Sequence, residues 1–458
     1  MSAILLTLLL FSSPLHSSTL QPSPPQSSTL QPSTLISEML SEISADSLKS
    51  YVYTLSSFET RHSFSSTTDP KRGIGAARNW VLSKFQEWSK TSNGRMTAEL
   101  DPFTVPPGGR IAKEITMMNV MATYKGSDPN DDRVFVISGH IDTRGSNVMD
   151  STVYAPGAND DASGVALVME LTRIMSKRNF PATIIFVAVS GEEQGLFGAH
   201  HLAKKARDQN WNLVAMFNND MVGNAWSSET NIYDNTRVRI FSETIPQMES
   251  DAQARVRRQV SGENDSRSRQ LARYIKEISE QYVEQLEVML VYRTDRFLRG
   301  GDHTPFSMNG FAAIRVCEMN ENYLYQHQDV RVEDGVQYGD LPEFIDYEYV
   351  RKNSALNLAA LSSLALAPYE PLTPIIDTSR LGNTTSLFWK APEKGQKPAG
   401  YYVLMRETSS PVWQKKFWTT DLSITLPYSK DNYFFSVQSV SADGHASLAA
   451  FPAPGRRQ

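Results

Sequence analysis

Two spacings of apolar residues alternate along most of this chain. In "ISEMLSEISADSLKSYVYTLSSF" (36–58) and "GIGAARNWVLSKFQEW" (73–88) the apolar positions recur every three or four residues. In the second, Ile74, Ala77, Trp80, Val81, Phe85 and Trp88 share one side, which predicts a helix. "RVFVISG" (133–139), "ATIIFVAVS" (182–190), "NLVAMFNND" (212–220) and "FAAIRVCE" (311–318) are short apolar runs, as in strands buried on both faces. Between and after them lie helical patterns: "ASGVALVMELTRIMSK" (162–177), a stretch from about Gly195 to Ala206, "RQLARYIKEISEQYVEQL" (269–286) with Leu271, Tyr274, Ile275, Ile278 and Tyr282 aligned, and "SALNLAALSSLALAP" (354–368). This alternation predicts an α/β fold, a mixed, largely parallel sheet with helices on both faces.

From Pro371 the pattern changes. "TSLFWKAP", "GYYVLMRE", "WQKKFWTT", "SITLPY" and "NYFFSVQSVSADG" are short aromatic-rich runs between turn signals, and no helical spacing occurs. They predict a small all-β sandwich over 371–450. The position of Tyr433 at the opening of a strand resembles the tyrosine-corner region of fibronectin type III domains.

The N-terminus belongs to neither pattern. "MSAILLTLLLF" is apolar over about nine residues, too short to span a bilayer. It reads as a secretory signal peptide (1–18) without the usual basic start, and predicts export to the periplasm, cell surface or medium, with no transmembrane span after its removal. Residues 19–36 follow as a Ser/Pro-rich tether with no apolar face; "SSTLQPS" occurs twice, at 17–23 and 27–33. The α/β unit then occupies 37–368.

Composition narrows the chemistry. A formal net charge of −5 over 458 residues gives no sign of nucleic-acid or anionic-membrane binding. The only cysteine is Cys317, which excludes an intramolecular disulfide and Cys-based structural zinc. Any metal would be held by His, Asp and Glu.

Such residues stand at the strand ends. The first apolar run ends in "GHID" (His140, Asp142), and the next helix is preceded by "PGANDDASG" (Asp160, Asp161). Later runs end in "SGEEQG" (Glu192, Glu193) and "NND" (Asp220), and the loop after 318 carries "NENYLYQHQD" (His327, Asp329). A lone acid or histidine there is ordinary loop composition. Five such segments at the sheet edge where α/β sites form are not. Imidazole and carboxylate suit zinc, and a carboxylate has two oxygens to bridge a pair of ions. A further carboxylate can take a proton from the attacking water and pass it to a leaving amine. A metal-bound imidazole needs a partner on its other nitrogen.

The ordered run "GHID…PGANDDASG…SGEEQG…NND…GDH…YQHQD" resembles the co-catalytic zinc aminopeptidases of metallopeptidase family 28, which also contains glutamate carboxypeptidase-type enzymes. The resemblance spans about 40–368. It implies two Zn2+ per chain. His140 and Asp220 would bind the first ion, Glu193 and His327 the second, and Asp160 would bridge them. Asp142 would orient His140, Glu192 would be the general base, and Asp161 would belong to the helix start. The adjacent glutamates, taken as the end of a strand, would point in different directions. His303 in "GGDHTPF" is the competing ligand to His327; the family pattern favours the later residue. Where some relatives carry a tyrosine before the last ligand this chain has Gln326, with Tyr323 and Tyr325 nearby, so the oxyanion stabiliser is unassigned. His16, His62, His200, His201 and His445 are read as structural, surface or tether residues. Arg296, Arg299 and Arg315 are read as salt-bridged within the fold.

The resemblance implies an exopeptidase acting on peptide or protein N-termini. The alternatives are a carboxypeptidase for acidic C-terminal residues, which needs an arginine cluster; a glutaminyl cyclase, which needs fewer ligands; and a binding protein, which would lack ligands or base. The sandwich is open to roles as spacer, lid, or module docking on a surface or polymer.

Overall fold

The computed structural model describes residues 33–456; the expected signal peptide lies outside them, as does most of the tether. The first helical pattern forms two helices, α1 (Thr34–Ser41) and α2 (Ala45–Ser56), and so begins inside the stretch read as tether. Ser44 breaks the pattern: its side chain accepts from Ser47 N–H and caps α2. Helix α3 (Gly73–Ser89) follows.

The main sheet has eight strands: β1 (Met96–Val105), β2 (Ile115–Tyr124), β3 (Arg133–His140), β4 (Thr183–Val189), β5 (Asn212–Asn219), β6 (Arg237–Ser242), β7 (Glu287–Val291) and β8 (Ala313–Glu318). Their spatial order is β1-β2-β4-β3-β5-β8-β6-β7. The central strands β4, β3, β5 and β8 run parallel, while β1, β2 and β6 join antiparallel. The sheet is thus mixed with a parallel centre, as the apolar runs predict. The hairpin β1–β2 and the outer strands β6 and β7 carry no clear signature; β1 alternates buried and open positions and contains Pro102.

Helices cover both faces: α4 (Ser163–Met175), α5 (Glu192–Gly195), α6 (Phe197–Asp208), α7 (Asp251–Gln259), α8 (Arg267–Tyr282), α9 (His303–Met308) and α10 (Tyr347–Leu366). Helix α10 starts earlier than its apolar run because Asp346 caps Glu348 and Tyr349 N–H. It is buried along most of its length, and Asn353 and Asn357 reach the end of β5, donating to Val222 O (2.9 Å) and Asn219 Oδ1 (2.7 Å).

The C-terminal strands are β9 (Leu372–Asp377), β10 (Thr385–Lys390), β11 (Gly400–Glu407), β12 (Lys415–Thr419), β13 (Ser423–Leu426), β14 (Tyr433–Val440) and β15 (Ala453–Gly455). They form a four-stranded sheet, β13-β10-β9-β15, and a three-stranded sheet, β12-β11-β14. Strand β11 is apolar on both faces for a reason: Tyr401, Val403 and Met405 fill the sandwich, while Tyr402 and Leu404 join the core of the α/β unit. Between the two units, Asp265 pairs with Arg273 (3.0 Å) and Arg406 (2.7 Å), and all three side chains are buried.

That junction is an integral part of the fold. Asp265→Ala leaves two buried guanidiniums without their acid and should cost about 3–5 kcal/mol in urea unfolding. Nearby Glu243 has one buried oxygen without a partner. Burial pushes its carboxyl up to about 7, against a hydrogen bond from Ser268. The folded state therefore keeps a proton that the unfolded chain has lost, so stability should fall as pH rises from about 4.5 to 7. Glu243→Gln should flatten that part of the stability–pH curve by on the order of 3 kcal/mol.

Candidate metal centre

The parallel strands end at one edge, and the polar residues that follow them converge there. His140 ends β3; Glu192 and Glu193 follow β4, Asp220 follows β5, and His327 lies in the loop after β8. Asp160 precedes α4 and is joined to Asp161 by a cis peptide bond.

Asp160 lies between the two histidines. Its Oδ1 is 3.0 Å from His140 Nε2 and its Oδ2 is 3.0 Å from His327 Nε2. Two ligand groups result. His140, Glu192 and Asp220 form one; Asp160, Glu193 and His327 form the other; within each, the donor atoms lie within 4.8 Å of one another. Burial alone would raise the Asp160 carboxyl, but the hydrogen-bonding histidines hold it well below the usual range. Burial pushes Glu192 well above its usual range, with His140 pulling it back.

The adjacent glutamates are separated by a device other than a strand end. They open the helical turn α5, where neighbours are rotated by about 100°. The Asp142 carboxylate accepts from Gly191 (2.8 Å), Glu192 (3.1 Å) and Glu193 (3.1 Å) N–H and fixes that turn. Gly191 has φ +78, the left-handed region that glycine tolerates. Asp142 holds His140 through its backbone: its carbonyl oxygen is 3.1 Å from Nδ1, and its carboxylate is 3.9 Å away.

Asp161 faces inward. It accepts from the N–H groups of His140 (2.9 Å), Gly164 (3.0 Å) and Met221 (3.2 Å), tying β3, α4 and the end of β5 together. Gly164 is required there, since a Cβ would strike both Asp161 and Asn219 O. His303 is not with the ligands; its Nε2 is 2.7 Å from Thr294 O and 3.6 Å from Asp295. Tyr325 stacks on Phe344 at 4.3 Å, while Tyr323 lines the cleft. Gln326 lies 3.3 Å from Asp160 Oδ2 in one amide orientation; turned over, it joins Glu321 and Arg299 and both its ends are satisfied.

Several residues were not found from sequence. Asp340 accepts from Asn159 and Asp160 N–H (2.9 and 2.8 Å). Arg61, fully buried, donates to the carbonyls of Ile141 (2.8 Å) and Gly157 (2.9 Å) behind the site. Glu318 accepts from Asn159 and from Asn224 N–H. Asp302, buried with both oxygens unpartnered, is pushed up to about 8 by burial and by Asp142 and Asp220, against His140. Of these only Asp302 sat in a segment singled out by motif.

The donor set fits zinc. Nitrogen and carboxylate donors converge, and buried Glu193 Oε1 accepts no hydrogen bond although His327 Nε2 is 3.1 Å away. The groups open into a cleft of about 650 Å³ lined also by Arg110, Arg144, Leu298 and Tyr323. None of its lining residues comes from the sandwich.

If Asp142 holds the ligand turn, Asp142→Asn should lower zinc affinity by about 10–100-fold, read by equilibrium dialysis and metal analysis.

Comparisons with known proteins agree in class. The profile of Peptidase family M28 matches residues 119–344. A protein described as a probable zinc metalloprotease from Leptosphaeria maculans is 43% identical over 421 residues, covering 92% of this chain and 97% of the relative. One from Pyricularia oryzae with the same description is 43% identical over 423 residues, covering 91% and 84%. The crystal structure of the Legionella pneumophila LapA aminopeptidase superposes with a TM-score of 0.52 at 20% identity, covering 79% of this chain and 81% of that one. LapB from the same organism gives 0.52 at 16%, covering 75% and 79%.

Proposed function

Because this chain belongs to peptidase family M28 as a zinc metalloprotease, we propose that it is a two-zinc exopeptidase that removes N-terminal residues from peptides. The observation that carries this reading is the Asp160 carboxylate, with one oxygen 3.0 Å from each of two histidines that belong to different ligand groups. His140 and Asp220 would hold one ion, Glu193 and His327 the other, with Asp160 shared. Bound zinc supplies a Lewis acid for the scissile carbonyl and makes water a better nucleophile near neutral pH.

The chain does the rest. Glu192 takes a proton from the attacking water and delivers it to the leaving nitrogen. Asp142 keeps Glu192 in place through the α5 backbone.

The arrangement of arginines supports this over cleavage at acidic C-terminal residues. Arg296 and Arg299 both pair with Glu321 (2.9 and 3.1 Å), and Arg315 pairs with Asp220 and Asp295. Arg110 and Arg144 line the cleft without an acidic partner among the described residues, and suit the carbonyls or carboxylate on the leaving side. Export by the N-terminal apolar segment, and a docking role for the sandwich with its fibronectin type III-like pattern, belong to the same proposal.

Glu192→Gln should lower kcat by about 10²–10⁴-fold while the protein keeps both ions by metal analysis. Loss of zinc with partial activity would reverse the roles of the two glutamates. Acetylated peptides should resist cleavage that the free-amine forms undergo; equal turnover would refute the N-terminal reading.

A further inference from the structure

The two ligand groups face different electrostatic surroundings. Arg315, on β8, is one of the largest fully buried side chains. Its Nη2 is 2.8 Å from Asp220 Oδ1 and 3.3 Å from the Asp220 carbonyl oxygen. Its Nη1 is fixed from behind by Asp295 Oδ2 (3.2 Å) and Gly300 O (3.1 Å). Asp295 is itself held by Arg296 (3.2 Å). The guanidinium is therefore clamped against Asp220 and cannot swing away to solvent.

The other group has no cation in contact with its carboxylates; the buried Arg61 guanidinium acts on Asp160 only from a distance. Among the described residues, Asp160 and Glu193 form ion pairs only with histidines. Arg110 approaches Glu193 through the backbone carbonyl (2.6 Å), not the carboxylate. Cation affinity rises with the charge that a donor set offers. Asp220 divides its charge between Arg315 and any cation seated beside His140, while Glu193 keeps its own for the cation beside His327.

We propose that Arg315 is a positioning residue that makes the two metal positions unequal: the His140/Asp220 position is the weaker and exchangeable one, and the Glu193/His327 position is the retained one. Arg315 fixes Asp220 in a preformed place and at the same time reduces the charge it offers. The inference rests on the two-zinc reading and extends it to how the ions are loaded.

The test is equilibrium dialysis of the whole chain against zinc buffers, with metal analysis as the readout. The wild type should release its two ions at free-zinc concentrations about 10–100-fold apart. His140→Ala should leave one tightly held ion, and His327→Ala one weakly held ion. Arg315→Lys keeps the cation and should keep the inequality. Arg315→Met combined with Asp295→Asn removes the charge and its buried counter-charge together. It should bring the two affinities to within a few-fold of each other, and an inequality that survives in it would overturn the role of Arg315; if this pair of changes prevents folding, Arg315→Gln, which removes the charge alone, carries the same expectation, and the two histidine variants decide which position is the weaker. Equal affinities in the wild type, or a weak remaining ion in His140→Ala, would overturn the assignment. A single ion per chain at saturating zinc would instead refute the two-zinc reading, and neither outcome depends on which peptides are cleaved.

Discussion

Carboxylates gathered in a buried space repel one another and lose their hydration. This sheet edge holds Asp142, Asp160, Asp161, Glu193, Asp220 and Asp302 all buried. Most of the local structure answers that problem. Asp142 and Asp161 are met by three backbone N–H groups each, Asp340 by two more, and Asp220 by Arg315. Arg61 donates to four surrounding carbonyls, and its charge is felt by the acids beyond them. Asp302 apart, the acids left with the fewest backbone partners are those that face the cleft. Zinc supplies the charge that they lack.

The same arrangement explains why the ligand turn is so short. Helix α5 has only one turn, too little to be stable by itself. It is held by the Asp142 carboxylate beneath it and by Leu196 N–H closing on Glu192 O. The placement of Glu192 and Glu193 therefore comes from a residue just beyond a neighbouring strand end.

Much of this is legible in the sequence, and the boundary has physical causes. Strands β3, β4, β5 and β8 show because strands buried on both faces are apolar throughout. Strand β1 hides because many of its positions are open to solvent and it contains Pro102, which no apolar-run pattern includes. The residues named as ligands, base and orienter stand in motifs, and the structure gathers them at one edge. Arg61, Asp340 and Glu318 act on backbone or amide groups of other segments, and such partnerships leave no spacing to read. The adjacent glutamates read as a strand end in sequence; one glycine in the left-handed region turns the chain into a helix first. The stretch that reads as tether reaches three residues into α1, and the last of them, Ile36, packs in the core.

The two-faced burial of β11 has a mechanical consequence. A strand that fills the sandwich with Tyr401 and Val403 and the α/β core with Tyr402 and Leu404 allows no hinge between the units. The cleft wall contains no residue of the sandwich, so the strand that joins the two cores bears on the site only through the α/β core that it shares.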